Sequence, residues 1–314
     1  MKRPLNIGLV GAGRWGRRYI ATIAQVEAMD LVGVASRNPE TAALLPDGCR
    51  QVGDWRKLVD DFELDGLVVA TPPHSHYEIT RACIEAGIAA LVEKPFTLDP
   101  AEARELERLA LARGALVMVN HTHLFASAYA ALKKRLQVFN RPLQIRAIGG
   151  NNGPFREDVD ALWDYGPHDL SMCFDLVGEE LVDFEARSTA ASGAGMVVEA
   201  ELEFVDGSRA DIRVGNGMDE KKRWLSVSDG EQNLVYDDLA VDKLWLEDGR
   251  GGAQAVEHSP LLPLDRSLMA FRDAIATGPG ERENLALGVR VVEMLERMTA
   301  MIAARDAGAR MAGL

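Results

Sequence analysis

The chain has 314 residues, long enough to bury a full hydrophobic core and to form two domains. Lys and Arg number 35 and Asp and Glu number 48, so the formal charge is −13, which disfavours nucleic acid or an anionic membrane as a partner. The three cysteines are scattered, no apolar run has membrane-spanning length, and Met1–Arg3 leads straight into a strand without room for a signal peptide. These features predict a cytoplasmic protein without structural disulfides.

The first motif is an apolar strand at residues 7–10 that runs directly into a G-x-G-x-x-G turn and an amphipathic helix. In such a turn the first glycine allows a tight bend, the second lets a pyrophosphate approach, and the third lets helix and strand pack closely. The helix N-terminus then offers N–H groups to phosphates. The sequence therefore predicts a dinucleotide site formed by Gly11, Gly13, Arg14, Trp15 and Gly16.

Apolar strands alternate with helical segments over the first 120 residues, which predicts a parallel sheet covered by helices on both faces. The later strands are predicted at residues 31–35, 67–70, 88–92 and 115–119. A helix at residues 76–86 is expected to stop at Gly87, and Asp99 is expected to cap a helix that ends at Gly114. Ligands bind beyond the carboxyl ends of such strands, so the residues after each strand are candidates for the site.

Ser36 and Arg37 follow the second strand, where an NAD-binding protein usually carries an acid for the ribose hydroxyls. Neither position has a carboxylate to repel a 2′-phosphate, and Arg37 could pair with one. The alternative interpretation is a surface turn that opens at Asn38-Pro39. We predict NADP(H) or NAD(H) as the cofactor, with NADP(H) slightly favoured.

Polar residues also follow three further strands, in Thr71-Pro72-Pro73-His74-Ser75-His76, Glu93-Lys94-Pro95 and Asn120-His121-Thr122-His123. The predicted cofactor-binding residues among them are Thr71, Pro72, His76, Glu93, Lys94 and Asn120. The two H-x-H pairs suggest a metal site, because imidazoles at alternate positions can share an ion. Neither pair has a carboxylate at ligand-like spacing, so we predict no metal; one histidine of each pair would face the cleft while the other packs or caps.

The pattern changes beyond residue 121. Residues 143–148 indicate the first strand of a different sheet, and residues 196–204 alternate between apolar side chains and glutamates. Asp206-Gly207 and Asp229-Gly230 predict hairpin turns. We therefore expect an antiparallel sheet with one polar face, followed by two helices marked by residues 264–275 and 291–302.

Asp164 and His168 lie between these two sheet patterns and are four residues apart, so in a helical turn their side chains meet on one side. A histidine within reach of a carboxylate has its tautomer fixed and its charged form stabilised, as a proton shuttle requires. Pro167 suits the first turn of a helix. The alternative interpretation makes Asp164 a helix cap and His168 a core histidine.

Together these motifs resemble the glucose–fructose oxidoreductase/inositol dehydrogenase family (Gfo/Idh/MocA). The matching segments are Gly11–Gly16, Ala70–Pro73, Glu93–Pro95 and Asp164-x-Gly166-x-His168. The resemblance implies an α/β fold: a Rossmann doubly wound parallel sheet at 1–121 plus 265–314, and a second domain at 122–264 with a large, mostly antiparallel sheet. It also implies hydride transfer at a sugar or cyclitol carbon and homo-oligomers, dimers or tetramers, built on the second sheet.

The resemblance also implies roles for single residues. Lys94 would hold the reacting hydroxyl and the nicotinamide ribose, His168 would be the acid or base, and Asp164 would position it or the substrate. The substrate-binding set would be Lys94, Arg156, Trp163, Asp164 and His168, with Arg156 as a phosphate partner. Three segments are similar to members that act on nucleotide-linked amino sugars: Val119–Thr122, Trp163–Asp169 and Leu234–Asp238.

Two alternatives stay open at this point. An NAD-dependent glycosidase of the same fold would oxidise its sugar transiently and release a cleaved glycoside. A non-catalytic, cofactor-sensing regulator would need the glycines but not Lys94, Asp164 and His168, and the presence of all three argues against it.

Overall fold

The computed structural model describes residues 3–155, 158–190, 195–278 and 282–312. The chain divides into two compact units, which we call the first unit (Met1–Thr122 with Leu262–Val292) and the second unit (His123–Leu261 with Glu293–Leu314). The predicted division, 1–121 plus 265–314 and 122–264, differs from this one at the end of the chain. Residues beyond Val292 group with the second unit.

The strands, in chain order, are β1 (Leu5–Val10), β2 (Met29–Ala35), β3 (Arg50–Val52), β4 (Gly66–Val69), β5 (Ala89–Glu93), β6 (Val117–Asn120), β7 (Gln144–Asn152), β8 (Leu181–Ala190), β9 (Met196–Phe204), β10 (Arg209–Gly215), β11 (Gly217–Ser228), β12 (Gln232–Asp237), β13 (Leu244–Asp248) and β14 (Ala253–Ala255). The α-helices are α1 (Arg14–Ile23), α2 (Arg56–Asp61), α3 (His76–Ala86), α4 (Pro100–Arg113), α5 (Ser127–Leu136), α6 (Ala161–Val177), α7 (Pro263–Thr277) and α8 (Arg282–Ala312). Short 3-10 turns lie at Pro39–Leu44, Pro73–Ser75 and Thr122–Phe125. Among the described residues, none of the helices combines the length and the apolar composition needed to cross a membrane.

The first unit is built on a parallel sheet with the strand order β3-β2-β1-β4-β5-β6. The order reverses at β1, so its carboxyl end opens between β2 and β4, where doubly wound sheets bind ligands. Consecutive residues of a strand point to opposite faces, and Leu67, Val68 and Val69 are all fully buried. Both faces of the sheet are therefore covered, and the predicted Rossmann sheet is confirmed.

Local signals set the helix ends in this unit. α3 stops at Gly87 and α4 stops at Gly114, with φ of 73° and 60°, a conformation that favours glycine. At the start of α4 the Asp99 side chain accepts a hydrogen bond from the N–H of Ala101 at 2.7 Å. These ends agree with the sequence predictions.

The second unit is built on a sheet with the strand order β14-β13-β12-β11-β7-β10-β9-β8. Strands β7 and β10 run parallel, and the other neighbouring strands run antiparallel. α6 packs against β7, β9 and β10 on the face that buries Ala147, Ala200 and Ile212. The opposite face carries charges, with Arg187 and Glu199 paired at 2.8 Å. The predicted sheet with one polar face is confirmed.

The end of α8 packs within the second unit. The indole N–H of Trp163 donates to Thr299 Oγ1 at 3.1 Å. A Cβ built on Gly166 would lie 3.0 Å from Leu295, so α6 and α8 approach closely at this glycine. These contacts cover an apolar face of α6, and this is why the chain end groups with the second unit and not with the Rossmann sheet, where the prediction had placed it.

Candidate active site

The protein's own packing requires two of the three glycines in the turn after β1. Gly11 has a φ of 95° and donates its N–H to the carbonyl of Ala35 at 3.0 Å. A Cβ on Gly11 would lie 2.6 Å from the carbonyl oxygen of Ala70, and a Cβ on Gly16 would overlap the carbonyl oxygen of Gly11. With larger residues, the turn and α1 could not pack this closely against the sheet.

Gly13 differs, because nothing in the described part of the chain requires a glycine there. It is exposed, its φ is −71°, and no atom lies within 4 Å of a Cβ built on it. Gly13 is also the N-cap of α1, and no side chain caps this helix end, so its first N–H groups are available to an anion. A glycine at this position is therefore explained by the close approach of a ligand, and the pyrophosphate of a dinucleotide is such a ligand.

Arg14 and Trp15 open α1 and are both exposed. The guanidinium of Arg18 lies 5.0 Å from the centroid of the Trp15 ring. The first turn of α1 carries no acidic residue. The arginines therefore add to the positive potential of the helix N-terminus, which favours phosphate binding.

Ser36 builds the turn at the end of β2. Its Oγ lies 2.9 Å from Thr41 Oγ1 and accepts a hydrogen bond from the N–H of Asn38 at 3.2 Å. Arg37 beside it is exposed. The side chain of Ser36 therefore stabilises a turn, as the alternative interpretation predicted. The guanidinium of Arg37, in contrast, is accessible to a ribose phosphate.

A buried hydrogen-bond network joins the ends of β5 and β6 to α1 and α7. Tyr19 donates to Glu93 Oε1 at 2.6 Å, and Asn120 Nδ2 donates to Tyr19 Oη at 2.5 Å and to Glu93 at 2.9 Å. Ser267 donates to Asn120 Oδ1 at 2.9 Å. Burial raises the pKa of Glu93. The side chains of Glu93 and Asn120 are thus used inside the first unit, and their predicted contact with a cofactor stays a prediction.

His76 links the two proline-containing segments. Its ring is fully buried, with Nδ1 2.9 Å from the carbonyl oxygen of Pro95 and Nε2 3.0 Å from that of Thr71. Burial lowers the pKa of His76, and these carbonyl contacts oppose the shift. Thr71 is half-buried and Pro72 exposed at the start of a 3-10 turn. His76 therefore orders the main chain on either side of the predicted cofactor site, and its contribution to binding would be indirect.

Lys94 lies half-buried directly after β5. His121, directly after β6, is 1% exposed, and neither of its ring nitrogens has a hydrogen-bond partner among the described residues. Burial lowers the pKa of His121 to about 3, and the positive charge of Lys94 adds to this shift. A cation near neutral His121 therefore stands at the carboxyl edge of the sheet, as predicted for Lys94.

Asp164 and His168 lie in the first half of α6. The helix begins at Ala161 because Asp160 Oδ1 accepts a hydrogen bond from the N–H of Trp163 at 3.0 Å and caps it. The placement of Pro167 in the first helical turn was wrong; Pro167 lies inside the helix, and Asp164 is not its cap. Asp164 and His168 are both half-buried and share one face of this continuous helix.

His168 lines a small pocket of the second unit. The pocket is formed by His123, His168, Asp169, Met172, Arg223, Trp224 and Tyr236. The rings of His123 and His168 meet edge to face, with centroids 4.8 Å apart and planes at 86°. The predicted acid or base therefore lies among other ionisable groups.

Asp169 follows His168 directly and is 3% exposed. A Cβ on Gly149 would overlap its carboxylate, so β7 can carry only a glycine at this point without moving Asp169. Burial raises the pKa of Asp169 to about 7, against the opposing effect of Arg223. The Arg223 guanidinium lies 5.3 Å from the Tyr165 ring centroid. The pocket thus contains an acid that changes charge near neutral pH.

The remaining predicted residues lie elsewhere. Trp163 is 7% exposed and packs between α6 and α8, which argues against a substrate contact. Arg156 lies outside the described residues. Within the described ranges, no three His, Cys, Asp or Glu side chains are arranged to hold a metal ion, and the absence of a metal stays a prediction.

The comparison with known proteins identifies the family. A model of an oxidoreductase family with an NAD-binding Rossmann fold, Gfo/Idh/MocA, matches residues 5–121. A structure from Magnetospirillum magnetotacticum MS-1, described only as an oxidoreductase, is 40% identical, with 93% of this chain and 99% of that chain covered and a TM-score of 0.87. The chain belongs to the Gfo/Idh/MocA family.

Two relatives extend this result. UDP-N-acetylglucosamine 3-dehydrogenase of Acidithiobacillus ferrooxidans is 25% identical, with 96% of this chain and 99% of that chain covered and a TM-score of 0.83. Inositol 2-dehydrogenase 4 of Saccharopolyspora erythraea is 28% identical over 98% of this chain and 95% of its own length. The recognition of Gfo/Idh/MocA from sequence motifs is confirmed, and the protein is an oxidoreductase.

Sequence reasoning within the Gfo/Idh/MocA pattern missed the network residue Tyr19 and the pocket residues Asp169 and Arg223. Tyr19 meets Glu93 across 74 residues of chain, a contact that no local pattern reports. One signal was available for Asp169: the pair Gly149-Gly150 lies within β7, and glycine in a strand often marks a close approach.

Gly13→Ala is expected to weaken NADPH binding at least about tenfold, because a methyl group would occupy the space left for the pyrophosphate. The melting temperature should stay the same or rise slightly, since alanine fits this φ and restricts the unfolded chain. Fluorescence titration and thermal melting measure both effects. Gly308→Ala, another glycine with open space around it, is the control. Unchanged NADPH affinity in Gly13→Ala would contradict the placement of the cofactor.

Ser36→Asp is expected to shift the preference from NADP(H) towards NAD(H) at least about tenfold, because its carboxylate would repel the 2′-phosphate. The ratio of the two dissociation constants is the measurement. Ser36→Asn is the control, because asparagine is nearly equal in size to aspartate but carries no charge. An equal loss for both cofactors would show that this turn does not contact the ribose.

Proposed function

We propose that the chain transfers a hydride between NADP(H), or NAD(H), and a secondary alcohol or ketone carbon of a sugar, a cyclitol or a nucleotide-linked sugar. The observation that carries this proposal is the half-buried Lys94 at the end of β5, in the same unit as an uncapped helix N-terminus with the open Gly13. The first unit is the dinucleotide-binding domain. The second unit binds the substrate through Asp164 and His168.

The chemistry divides among few side chains. A bound nicotinamide accepts or supplies the hydride. Lys94 holds the reacting hydroxyl, and its positive charge lowers the pKa of that oxygen. His168 takes the proton, because an imidazole can change charge near neutral pH, and returns it in the reductive direction. Asp164, one turn away on the same face of α6, keeps the imidazole oriented and favours its charged form.

The substrate class is proposed from the relatives. They are named for an inositol and for a UDP-linked amino sugar, both of which carry secondary alcohols. Arg156 remains the proposed phosphate partner if the substrate is nucleotide-linked. We place the protein in the cytoplasm, where nicotinamide dinucleotides are available to it.

We also propose a homo-oligomer, a dimer or tetramer, through the outer face of the second sheet. Arginines and acids alternate there: Arg187 and Arg213 both lie near Glu199, at 2.8 Å and 3.7 Å, and Arg209 pairs with Glu203 at 2.9 Å. A surface with both signs interspersed can complement a second copy of itself, as a two-fold interface requires.

A screen of cofactor reduction against sugars, cyclitols and nucleotide sugars tests the proposed function. Wild type should reduce NADP⁺ or NAD⁺ in step with substrate oxidation, and Lys94→Ala should lower kcat at least about 10²-fold on the same substrate. Cleavage of a glycoside without net reduced cofactor would make the protein a glycosidase. Cofactor binding without turnover of any compound would favour a sensing role.

A further inference from the structure

The two histidines of the second H-x-H pair, His121 and His123, belong to different units. His121 belongs to the first unit, and His123 belongs to the second, where its ring contacts that of His168. His123 comes from the 3-10 turn Thr122–Phe125 and His168 comes from α6, so two separate elements bring the rings together. The proposed function gives His123 no role.

Several ionisable groups share the pocket with His168. They are His123, Asp169, Arg223 and Tyr236. Asp164 lies one helical turn before His168 on the same face of α6. The Asp169 carboxylate is turned towards Gly149, and Arg223 lies over the Tyr165 ring. His123 is the group whose ring directly meets that of His168, at 4.8 Å between centroids.

We infer that His123 is a positioning residue for His168: its ring fixes the plane of the His168 imidazole, and the two rings are coupled in protonation. The inference rests on the proposed role of His168 in proton transfer. Edge-to-face contact between aromatic rings is favourable and restricts rotation of both side chains.

The coupling follows from charge. Two imidazolium ions about 5 Å apart repel each other, which separates the two protonation steps of the pair by about one to two pH units in a half-exposed site. The two steps then belong to the pair and not to either ring alone. When His168 takes a proton from the substrate, His123 stays neutral, so the contact between the rings survives the step.

NMR titration of the imidazole C2–H groups in the full chain, without ligand, measures this coupling. The chain has 6 histidines, and the signals of His168 and His123 are those missing from His168→Gln and His123→Phe. In wild type the His168 signal should follow a curve with two midpoints at least about one pH unit apart. His123→Phe keeps an aromatic ring that takes no proton, so the curve should become single-step. His258→Phe, outside the pocket, is the control.

Linkage makes the test reciprocal, because each ring must change the titration of the other equally. In His168→Gln the titration curve of His123 should also become single-step. This measurement tests the coupling if His123→Phe does not fold. Single-step curves for both rings in wild type would overturn the inference. So would a two-step His168 curve that His123→Phe leaves unchanged.

The pH dependence of kcat/KM separates this inference from the proposed function. His123→Phe should move the acid limb of the profile by about one pH unit, and His123→Ala should also lower kcat at the optimum because the imidazole loses its fixed plane. Coupled titration with an unmoved profile would overturn the role of His123 in the reaction. Normal turnover by His168→Gln would overturn the proposed function instead, whatever the titration shows.

Discussion

Replacing His168 by alanine is expected to lower kcat at least about 10²-fold while NADPH affinity stays nearly unchanged, because general base catalysis contributes about 10²–10⁴-fold. Oxidation of a secondary alcohol removes a proton from oxygen as the hydride leaves carbon, so the loss of the base slows the chemical step. His168 lies in a pocket of the second unit, and the glycine turn that would bind the cofactor lies in the first. Binding and chemistry should therefore separate in this variant.

Steady-state kinetics with a substrate from the screen, together with fluorescence titration of NADPH, measure the two effects. His258→Ala removes a histidine of the same unit outside the pocket and is the matched control. A near-normal kcat in His168→Ala would make this histidine structural. The proton would then pass to Lys94 or to water, and the Lys94→Ala variant would carry the whole catalytic defect.

Between pH 6.5 and pH 4, wild type is expected to lose about 3 kcal/mol of folding stability through His121, and His121→Gln should remove this loss. Burial lowers the pKa of His121 to about 3, whereas an unfolded histidine titrates near 6.5. Above pH 6.5 the ring is neutral in both states. As the pH falls towards 3, the unfolded chain gains a proton that the folded chain does not accept, so folding loses stability over this window.

Urea unfolding of wild type and His121→Gln at several pH values measures this difference. His258→Gln should keep the wild-type slope. Asp169 has the opposite effect on the pH dependence of folding stability, because burial raises its pKa to about 7. The stability that its protonated carboxyl group contributes is present below about pH 4 and is lost as the pH rises through 7. The two effects partly cancel in wild type, which is why the comparison must be between variants. Equal slopes in wild type and His121→Gln would contradict the prediction.

The sequence predicted the elements that local patterns determine. The bounds of α3 and β9 coincide with the predicted residues 76–86 and 196–204, because periodicity and stop signals act within a few residues. The start of α6 was misplaced, because the cap is a single hydrogen bond from Trp163 to Asp160 and Pro167 gave a stronger local signal.

The contents of the candidate site were harder to predict, because they depend on contacts between distant parts of the chain. Glu93 and Asn120 follow strands as site residues do, yet their side chains join a buried network with Tyr19 and Ser267. Trp163 stands beside Asp164 in the sequence but packs towards α8. Position along the chain identifies the edge of the sheet, while the direction of each side chain follows from packing.

The contact between Ser267 and Asn120 has a consequence for synthesis on the ribosome. Ser267 emerges 147 residues after Asn120, a delay of roughly 7–30 s at 5–20 residues per second. Throughout this time the nascent Rossmann sheet lacks α7, and the amide of Asn120 lacks its last partner. The second unit is made during the same interval. A fragment that ends at Thr122 would remain permanently at this incomplete stage, so the dinucleotide-binding half should not be obtained as a stable protein by cutting the gene there.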